Sequence, residues 1–385
     1  MAFSLTDHSA KMDTITFTVD NYDLSNFDNP IWRRGTILEL TWGYPGNTDS
    51  RRCVVKKLKG GVKLVIEAQA LSAVMHTVKK CRVWENMTLA DIAKKIEFEY
   101  ASILHYEDLV CKDKNLQTLG DNLQIIHAVQ AAETDAQFLA RLARKYGLTF
   151  RTDKQGRIQF GEANLHLPPV RTLTWRGGTG DWEDFEVQND PVGQVESVTT
   201  KAVDTATKQV VEHKASNQNT KREGLAETVE VISARTGQAH YEERAASIEN
   251  ANAHEKGKSE LQHVAEGQFK AAQRHVIKLW GRCVGDPRIT ATRLIVVEKL
   301  GKLLSGTYRL VETWHDIDEH GKYTTTWVAK SDGTGGYGDN KDEPNKATKS
   351  EKKAADTGGP ETEQVEMVSA RTGQAHYEFR PKGRS

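Results

Sequence analysis

The chain reads as a mainly β protein with an α+β insert and a polar C-terminal tail, and three observations carry that reading. Short alternating segments parted by Asn, Asp, Pro and Gly clusters fill residues 14–75, and β character returns over residues 171–200 and 289–330. Residues 84–160, between them, combine strand-like runs with two capped amphipathic helices. Over residues 331–364 the composition turns to Gly, Lys, Asp and Glu with almost no apolar mass.

The first segment alternates over residues 14–19 (TITFTV) and 37–42, and strands at 53–58 and 62–68 flank the turn Lys59-Gly60-Gly61. Four or more short strands with such turns predict a small barrel or sandwich. In the insert, Thr88 with Asp91 three residues on predicts a capped helix to about Tyr100, with Leu89, Ile92, Ala93 and Ile96 on one face. A strand over residues 123–129 leads to a second helix. There Thr134 takes the N-cap position and Gln137 completes a capping box, so two orphan N–H groups find side-chain partners. Phe138, Leu139, Leu142 and Tyr146 form the apolar stripe, and Gly147 ends the helix where a left-handed residue is wanted. Asp153-Lys154-Gln155-Gly156 then turns residues 148–151 back along residues 157–160.

Farther on, Trp175, Trp182 and Phe185 read as core or interface aromatics. Residues 203–225 are polar and Lys-rich, which predicts an exposed or partly disordered loop. Residues 242–278 have helical composition, with Leu261, Val264, Gln268, Phe269 and Ala272 as a stripe that Gly257 and Gly267 weaken. Strands are expected at 289–298, 306–315 and 323–330.

The tail holds a repeat. Ser369 to Glu378 (SARTGQAHYE) is identical to Ser233 to Glu242, 136 positions earlier, and VEVI before the first copy matches VEMV before the second. Each copy reads as strand, Thr-Gly turn, strand. Two readings stand: both copies dock by strand addition on equivalent grooves, or the second is a recombination scar without a role. On the docking reading the interacting residues are Ser233, Arg235, Gly237, His240 and Tyr241, with Ser369, Arg371, Gly373, His376 and Tyr377.

Composition excludes several classes. Lys and Arg number 53 and Asp and Glu 53, so no electrostatic footprint marks a nucleic acid or an anionic membrane as partner. No apolar run is long enough to span a bilayer, and MAFSLTDHSAKMD at the start lacks the apolar core of a secretory signal. Cys53, Cys81, Cys111 and Cys283 are scattered, which disfavours a zinc site and reads as reduced thiols. His315 and His320 bracket three carboxylates across a turn, yet a hairpin accounts for that segment better than a metal site. Nucleophile-elbow, zinc-protease, phosphate-loop and dinucleotide motifs are all absent, and Gly333 to Gly338 (GTGGYG) lacks the Lys and flanking elements of a phosphate cradle. The acidic run at Asp181 to Asp184 reads as a solvated face. No catalytic residue, metal or cofactor is therefore expected.

ETDAQFLARLARKYGLTF (residues 133–150), with Gln130 ahead and a hairpin behind, resembles the bacteriophage late control D family. These are tail-hub or baseplate-hub proteins related to the N-terminal part of type VI secretion spike proteins. GTYRLVETWHDIDEHGKYTTTWV (residues 306–328) is similar to the family's closing hairpin, and Arg34-Gly35 before ILELTWGYPG (residues 37–46) is a third match in the family's order. Family members usually carry another strand or two ahead of the part matching residues 4–20, so closure of the first barrel is open here.

The resemblance implies two small β-barrel domains per chain in a trimeric, tube-like ring. The expected division is 1–82 first barrel, 83–165 α/β insert, 166–330 second barrel with a long helix, 331–364 flexible linker and 365–385 repeated anchor hairpin. Three chains with two barrels each present six near-equivalent faces, which can join a six-fold tail tube to a trimeric spike. Trp42, Trp175, Trp314 and Trp327 would line core or subunit contacts. The implied partners are two further copies, a separate trimeric spike protein, the tail tube protein and other baseplate subunits. The implied location is the virion tail or baseplate, after synthesis in the host cytoplasm. Two other readings come from different classes. One is a cell-wall-binding or cell-wall-degrading tail component, because NMTLADIAKKIEFEY (residues 86–100) faintly echoes a peptidoglycan-binding LysM module. The other is the hub of a type VI or extracellular contractile injection system.

Overall fold

A computed structural model describes residues 2–103, 105–107, 124–161, 163, 165, 167–175, 182–189, 197–203, 208–216, 228–232, 239–243, 260–273, 277–332, 362–368 and 375–381. The chain divides into two compact units, Met1–Asp339 and Asn340–Ser385.

The first unit is mainly β. Strands β1 (Ala2–His8), β2 (Thr14–Asp20), β3 (Ile37–Tyr44), β4 (Asn47–Gly60) and β5 (Lys63–Ala70) pair antiparallel in the order β1-β2-β5-β4-β3. Alternation decides the buried face: Leu5, Ile15, Phe17, Leu38, Trp42, Cys53, Val55, Leu64 and Ile66 make one core. The opening strand β1 had no counterpart in the strand pattern expected from sequence.

The insert begins with β6 (Lys79–Thr88) and α1 (Leu89–Phe98), followed by β7 (His105–Glu107) and β8 (Gln124–Thr134). Helix α2 (Asp135–Lys145) and the hairpin β9 (Thr149–Thr152) and β10 (Arg157–Gly161) complete it. Both capping boxes form as expected, Thr88 with Asp91 and Thr134 with Gln137. At the end of α2, the Leu148 N–H bonds the Ala143 carbonyl at 2.8 Å and Gly147 takes φ +67°, the Schellman arrangement. Ile92, Ile96, Phe138, Leu139, Leu142, Tyr146 and Phe160 form a second core.

Next come β11 (Arg171–Thr174), β12 (Trp182–Asn189), the hairpin β13 (Ser197–Val203) with β14 (Val210–Ser216), and the hairpin β15 (Thr228–Ile232) with β16 (Ala239–Glu243). Helix α3 (Glu260–Gln273) precedes β17 (Ile277–Val284) and β18 (Leu294–Glu298); the short α4 (Gly301–Leu304) precedes β19 (Gly306–Ile317) and β20 (Tyr323–Ser331). Leu173, Trp182, Ile277, Leu279, Ile295, Val297, Tyr308 and Trp327 belong to a third core.

Several expectations need correction. Val210–Ser216, read as loop, is a strand, because Ala215 is buried against Ala265 and Phe269 of α3. Within residues 242–278 the described helix is only α3, and Ile277 and Lys278 open a strand. On α3 the buried residues are His263, Ala265, Glu266, Gly267 and Phe269, while Gln268 of the expected stripe is exposed. Strand β18 starts at Leu294 and not at 289, since the Ile289 and Arg293 N–H groups close turns onto Asp286 and Thr290. Ser331 and Asp332, assigned to the tail by composition, are buried at the end of β20.

One pairing ties the strands into a single eleven-stranded sheet. Strand β1 lies antiparallel to the second half of β19, with Leu5 opposite His315. The first half of β19 pairs with β18 instead, and its ladder with β20 carries a bulge between Leu310 and Glu312. The main path is β12-β17-β20-β19-β1-β2-β5-β4-β3, with β11 on β18. Among the described residues this path has two open ends, β12 and β3, and no closed barrel. One sheet thus carries two separate cores.

The second unit contains a hairpin of β21 (Thr362–Val368) and β22 (Ala375–Pro381). Its register repeats that of β15 and β16: Met367 faces His376 as Val231 faces His240, and Glu366 faces Tyr377 as Glu230 faces Tyr241.

Candidate functional site

Where the two β regions and the insert meet, four charged side chains are buried together. Asp7 and Arg51 extend the inward phase of Leu5 on β1 and of Cys53 and Val55 on β4, so strand alternation alone aims them into the core. The Arg51 Nη2 donates to Asp7 Oδ2 at 3.1 Å, and its Nη1 to Asp13 Oδ2. From the insert hairpin, Arg151 approaches Asp7 Oδ1 at 3.5 Å and donates to the Ala291 carbonyl (2.9 Å) and Thr292 Oγ1 (3.0 Å). The Ala291 N–H returns to Asp7 Oδ2 at 3.0 Å. Nearby, Arg52 N donates to the Lys154 carbonyl at 2.9 Å, while the Lys154 ammonium pairs with Asp49. Burial works to raise the Asp7 carboxyl, but the two guanidinium groups and the Ala291 N–H outweigh it and hold it low. Burial pushes Asp13 up, and Arg51 does not cancel that push. The node is a fastener rather than a reaction centre: each charge is occupied by an opposite charge or a backbone group.

His315 sits beside it on β19. Its Nδ1 lies 2.7 Å from the Tyr323 hydroxyl and 3.3 Å from Thr325 Oγ1, and its ring packs 5.8 Å from Trp42. Burial drives its pKa down to about 4, so the ring is neutral. His320 lies in the following turn, its N–H bonded to Asp318 Oδ1. Among the described residues no group of three or more His, Cys, Asp or Glu is placed to hold a metal.

A second polar node shapes the insert. Buried Asp135, first residue of α2, accepts from Lys80 Nζ (2.6 Å), the Tyr100 hydroxyl (2.7 Å) and Gln130 Nε2 (2.9 Å). Gln130 also donates to the Glu133 carbonyl at 3.1 Å and so fixes the corner from β8 into α2. Burial alone would raise the Asp135 carboxyl; its donors hold it low.

Exposed apolar and charged side chains stand at the sheet's open ends. Residues 21–36 lead into β3 and are built on two asparagines. Buried Asn21 donates to the Gly61 carbonyl (2.8 Å) and accepts from the Asn26 N–H (3.0 Å). Asn26 donates to the Asp20 carbonyl (2.8 Å) and accepts from the Trp32 indole (3.0 Å). On this frame Tyr22, Leu24, Phe27 and Ile31 are exposed, Tyr22 at 80%. At the other end, β12 exposes Glu183, Asp184 and Glu186, while half-buried Phe185 packs against the third core and on Trp175 at 4.6 Å.

The residues named from the repeat are placed only in part. His240 and Tyr241 lie on β16, and His376 and Tyr377 on β22, in the two different units. Ser233, Arg235, Gly237, Ser369, Arg371 and Gly373 lie outside the described residues. Trp42 and Trp327 are buried; Trp175 and Trp314 are half-buried. Sequence reading missed the charged node, whose signal was a charged residue at an inward position of an alternating strand.

Residues 47–320 match the family described as phage tail baseplate hub (GPD). No curated protein sequence matches the chain. Among solved structures, a tail protein from Neisseria meningitidis MC58 is similar with TM-score 0.57 and 14% identity, over 86% of this chain and 92% of that one. The 43 kDa tail protein of prophage MuSo2 from Shewanella oneidensis gives 0.55 and 12%, over 86% and 94%. An E. coli component of the type VI secretion system, itself described as similar to T4 bacteriophage tail proteins gp27 and gp5, gives 0.50 and 13%, over 88% and 74%. At these identities the likeness is one of fold.

Proposed function

The chain belongs to the phage tail baseplate hub (GPD) family, and from that premise we propose that it is a structural collar working as a trimer without catalysis. It joins a six-fold tail tube on one side to a trimeric spike on the other. The observation that carries this reading is the single sheet with two separate hydrophobic cores. Two β bodies per chain, repeated three times, supply six near-equivalent faces for a six-fold partner, while three-fold symmetry suits the spike. Such a collar would sit in the baseplate of a tail, made in the host cytoplasm, among other baseplate subunits. A hub in a type VI or extracellular injection system is the same architecture in another particle.

The cell-wall reading gains nothing from α1. Its Leu89, Ile92, Ala93 and Ile96 are spent in the insert core, as in an ordinary amphipathic helix.

The repeated hairpins are, in this reading, anchors for the spike or a neighbouring baseplate subunit. Ser233, Arg235, Gly237, His240 and Tyr241 of one copy, and Ser369, Arg371, Gly373, His376 and Tyr377 of the other, would make the contacts. An isolated two-stranded hairpin is marginal in water, so equal hairpins in both units call for something to pack on. Removing residues 333–385 is expected to leave a folded trimer that enters baseplates poorly. Unchanged co-purification of the shortened hub with spike and tube proteins would discard the anchor role.

A further inference from the structure

We propose that the two copies of the repeat are interchangeable ligands for one kind of site, an open strand edge offered once by each subunit of the six-fold tail tube. The inference rests on the anchor role given above to the repeated hairpins, and it chooses their partner.

Among the described residues β15 pairs only with β16, and β21 only with β22. Each hairpin therefore keeps open edges, and two strands alone are marginal in water. The same register recurs in both. Val229 faces Glu242 and Ile232 faces Ala239 in the first, as Val365 faces Glu378 and Val368 faces Ala375 in the second. Yet the hairpins belong to different compact units. A hairpin that serves only its own unit has to suit only that unit's surroundings, so two units give no reason for equal sequences. A common counterpart gives one.

Identity is unevenly spread, and the spread says which edge docks. From Ser233 to Glu242, which includes most of β16, nothing differs from residues 369–378. Along the first strand Thr228 is exchanged for Gln364, Val231 for Met367 and Ile232 for Val368. The last two exchanges keep apolar character, which suffices for a strand that backs the hairpin. Strand β16 and its equivalent β22 are therefore the edges that meet the counterpart, by strand addition. Backbone hydrogen bonds give affinity in that mode. Alternate positions give specificity, and His240 and Tyr241 stand on opposite faces of the added strand.

Copy number then chooses the partner. One chain carries two equal edges, so three chains carry six. A six-fold tube offers one equal site to each, whereas a trimeric spike would have to build the same site twice in every subunit. Chain length permits this: residues 333–361, between Asp332 and β21, reach at most about 100 Å. The second copy is thus free to take a site on a different tube subunit from the first, and two linked contacts raise the hold of each chain.

The test sediments the full chain with assembled tail tube protein, and separately captures it on purified trimeric spike protein. His240→Ala with Tyr241→Ala disables the first copy, and His376→Ala with Tyr377→Ala the second. Each pair is expected to weaken binding to the tube at least about tenfold, and the two losses should agree within about threefold. All four changes together are expected to leave less than about one hundredth of the parent affinity. Thr228→Gln with Val231→Met and Ile232→Val makes residues 228–242 equal to residues 364–378. That equalised chain is expected to bind as the parent does, and its mild exchanges keep the test open if an alanine pair disturbs folding, which circular dichroism and melting temperature report. A loss from one copy only, or a tenfold loss in the equalised chain, overturns interchangeability. Losses toward the spike but not toward the tube overturn the choice of partner and leave the anchor role standing. Unchanged binding to both proteins in the fourfold variant removes the anchor role itself.

Discussion

Asp7 shows how much one side chain can be asked to hold. It is fully buried and receives Arg51, Arg151 and the Ala291 N–H, thereby touching strand β4, the insert hairpin and the loop after β17. Removing one partner of a buried ionic group leaves the others desolvated and unpaired, at a cost of about 3–5 kcal/mol. Asp7→Ala is therefore expected to lower the unfolding free energy by that much, read as a lower urea midpoint with little change in slope, whereas a loss below about 1 kcal/mol would show the node to be incidental. His315 gives a pH signature. Its folded-state pKa, about 4, lies below the ordinary value near 6.5. The unfolded chain therefore binds the proton first, and the group's contribution is complete above about pH 6.5 and fades as pH falls toward 4. The full effect is about 3 kcal/mol. His315→Gln should flatten the stability curve in that window, as followed by urea titrations at successive pH values. Gly267 is a third case. It lies mid-helix, where alanine ordinarily gains about 1 kcal/mol. A Cβ there would strike the Tyr146 carbonyl oxygen, since the end of α2 crosses α3 at Gly147 and Gly267. Gly267→Ala is expected to destabilise by about 1–3 kcal/mol, and a stabilised variant would refute that close crossing.

Elements were legible in proportion to how local their signals are. Both insert helices carry their boundaries within a few residues: Thr88 with Asp91, Thr134 with Gln137, and Gly147 at the stop. Thr134→Ala should accordingly cost about 1 kcal/mol in thermal or urea melts. The hairpin turn at Asp153 to Gly156 was equally plain, and the Asp153 carboxylate accepts from the Gln155 and Arg157 N–H groups, each at 2.9 Å. Signals failed where tertiary contact decides. Val210–Ser216 looks like loop because most of it is exposed and the residues around it are polar; only Ala215, buried under α3, shows why it is a strand. Ile277 and Lys278 continue a helical composition from α3, yet pairing with both β12 and β20 makes a central strand of them. The weakening glycine Gly267 was noticed in the sequence, but its cause was not, since the partner lies 120 positions away at Gly147. The charged node was hidden in the same way: its members are Asp7, Asp13, Arg51 and Arg151, and nothing local brings them together.

Across the molecule, one pairing does most to define the architecture. Strand β1 bridges β2 and β19, so the opening strand of the large unit lies beside one from its far end and the two β cores share one sheet. The Asp7 node sits at the end of that bridge and ties the insert to it. Balanced charge, 53 basic against 53 acidic residues, suits a part that is surrounded by other proteins. On this account the open ends of the sheet are joints, for an exposed strand edge invites association unless it is covered. The central claim is that the chain is a three-copy collar. The most direct measurement is the solution mass of the purified full chain by light scattering, read together with negative-stain images. The account predicts three times the 43.0 kDa chain mass and three-fold rings around a channel; a mass of one chain at all concentrations, or particles without that symmetry, would contradict it.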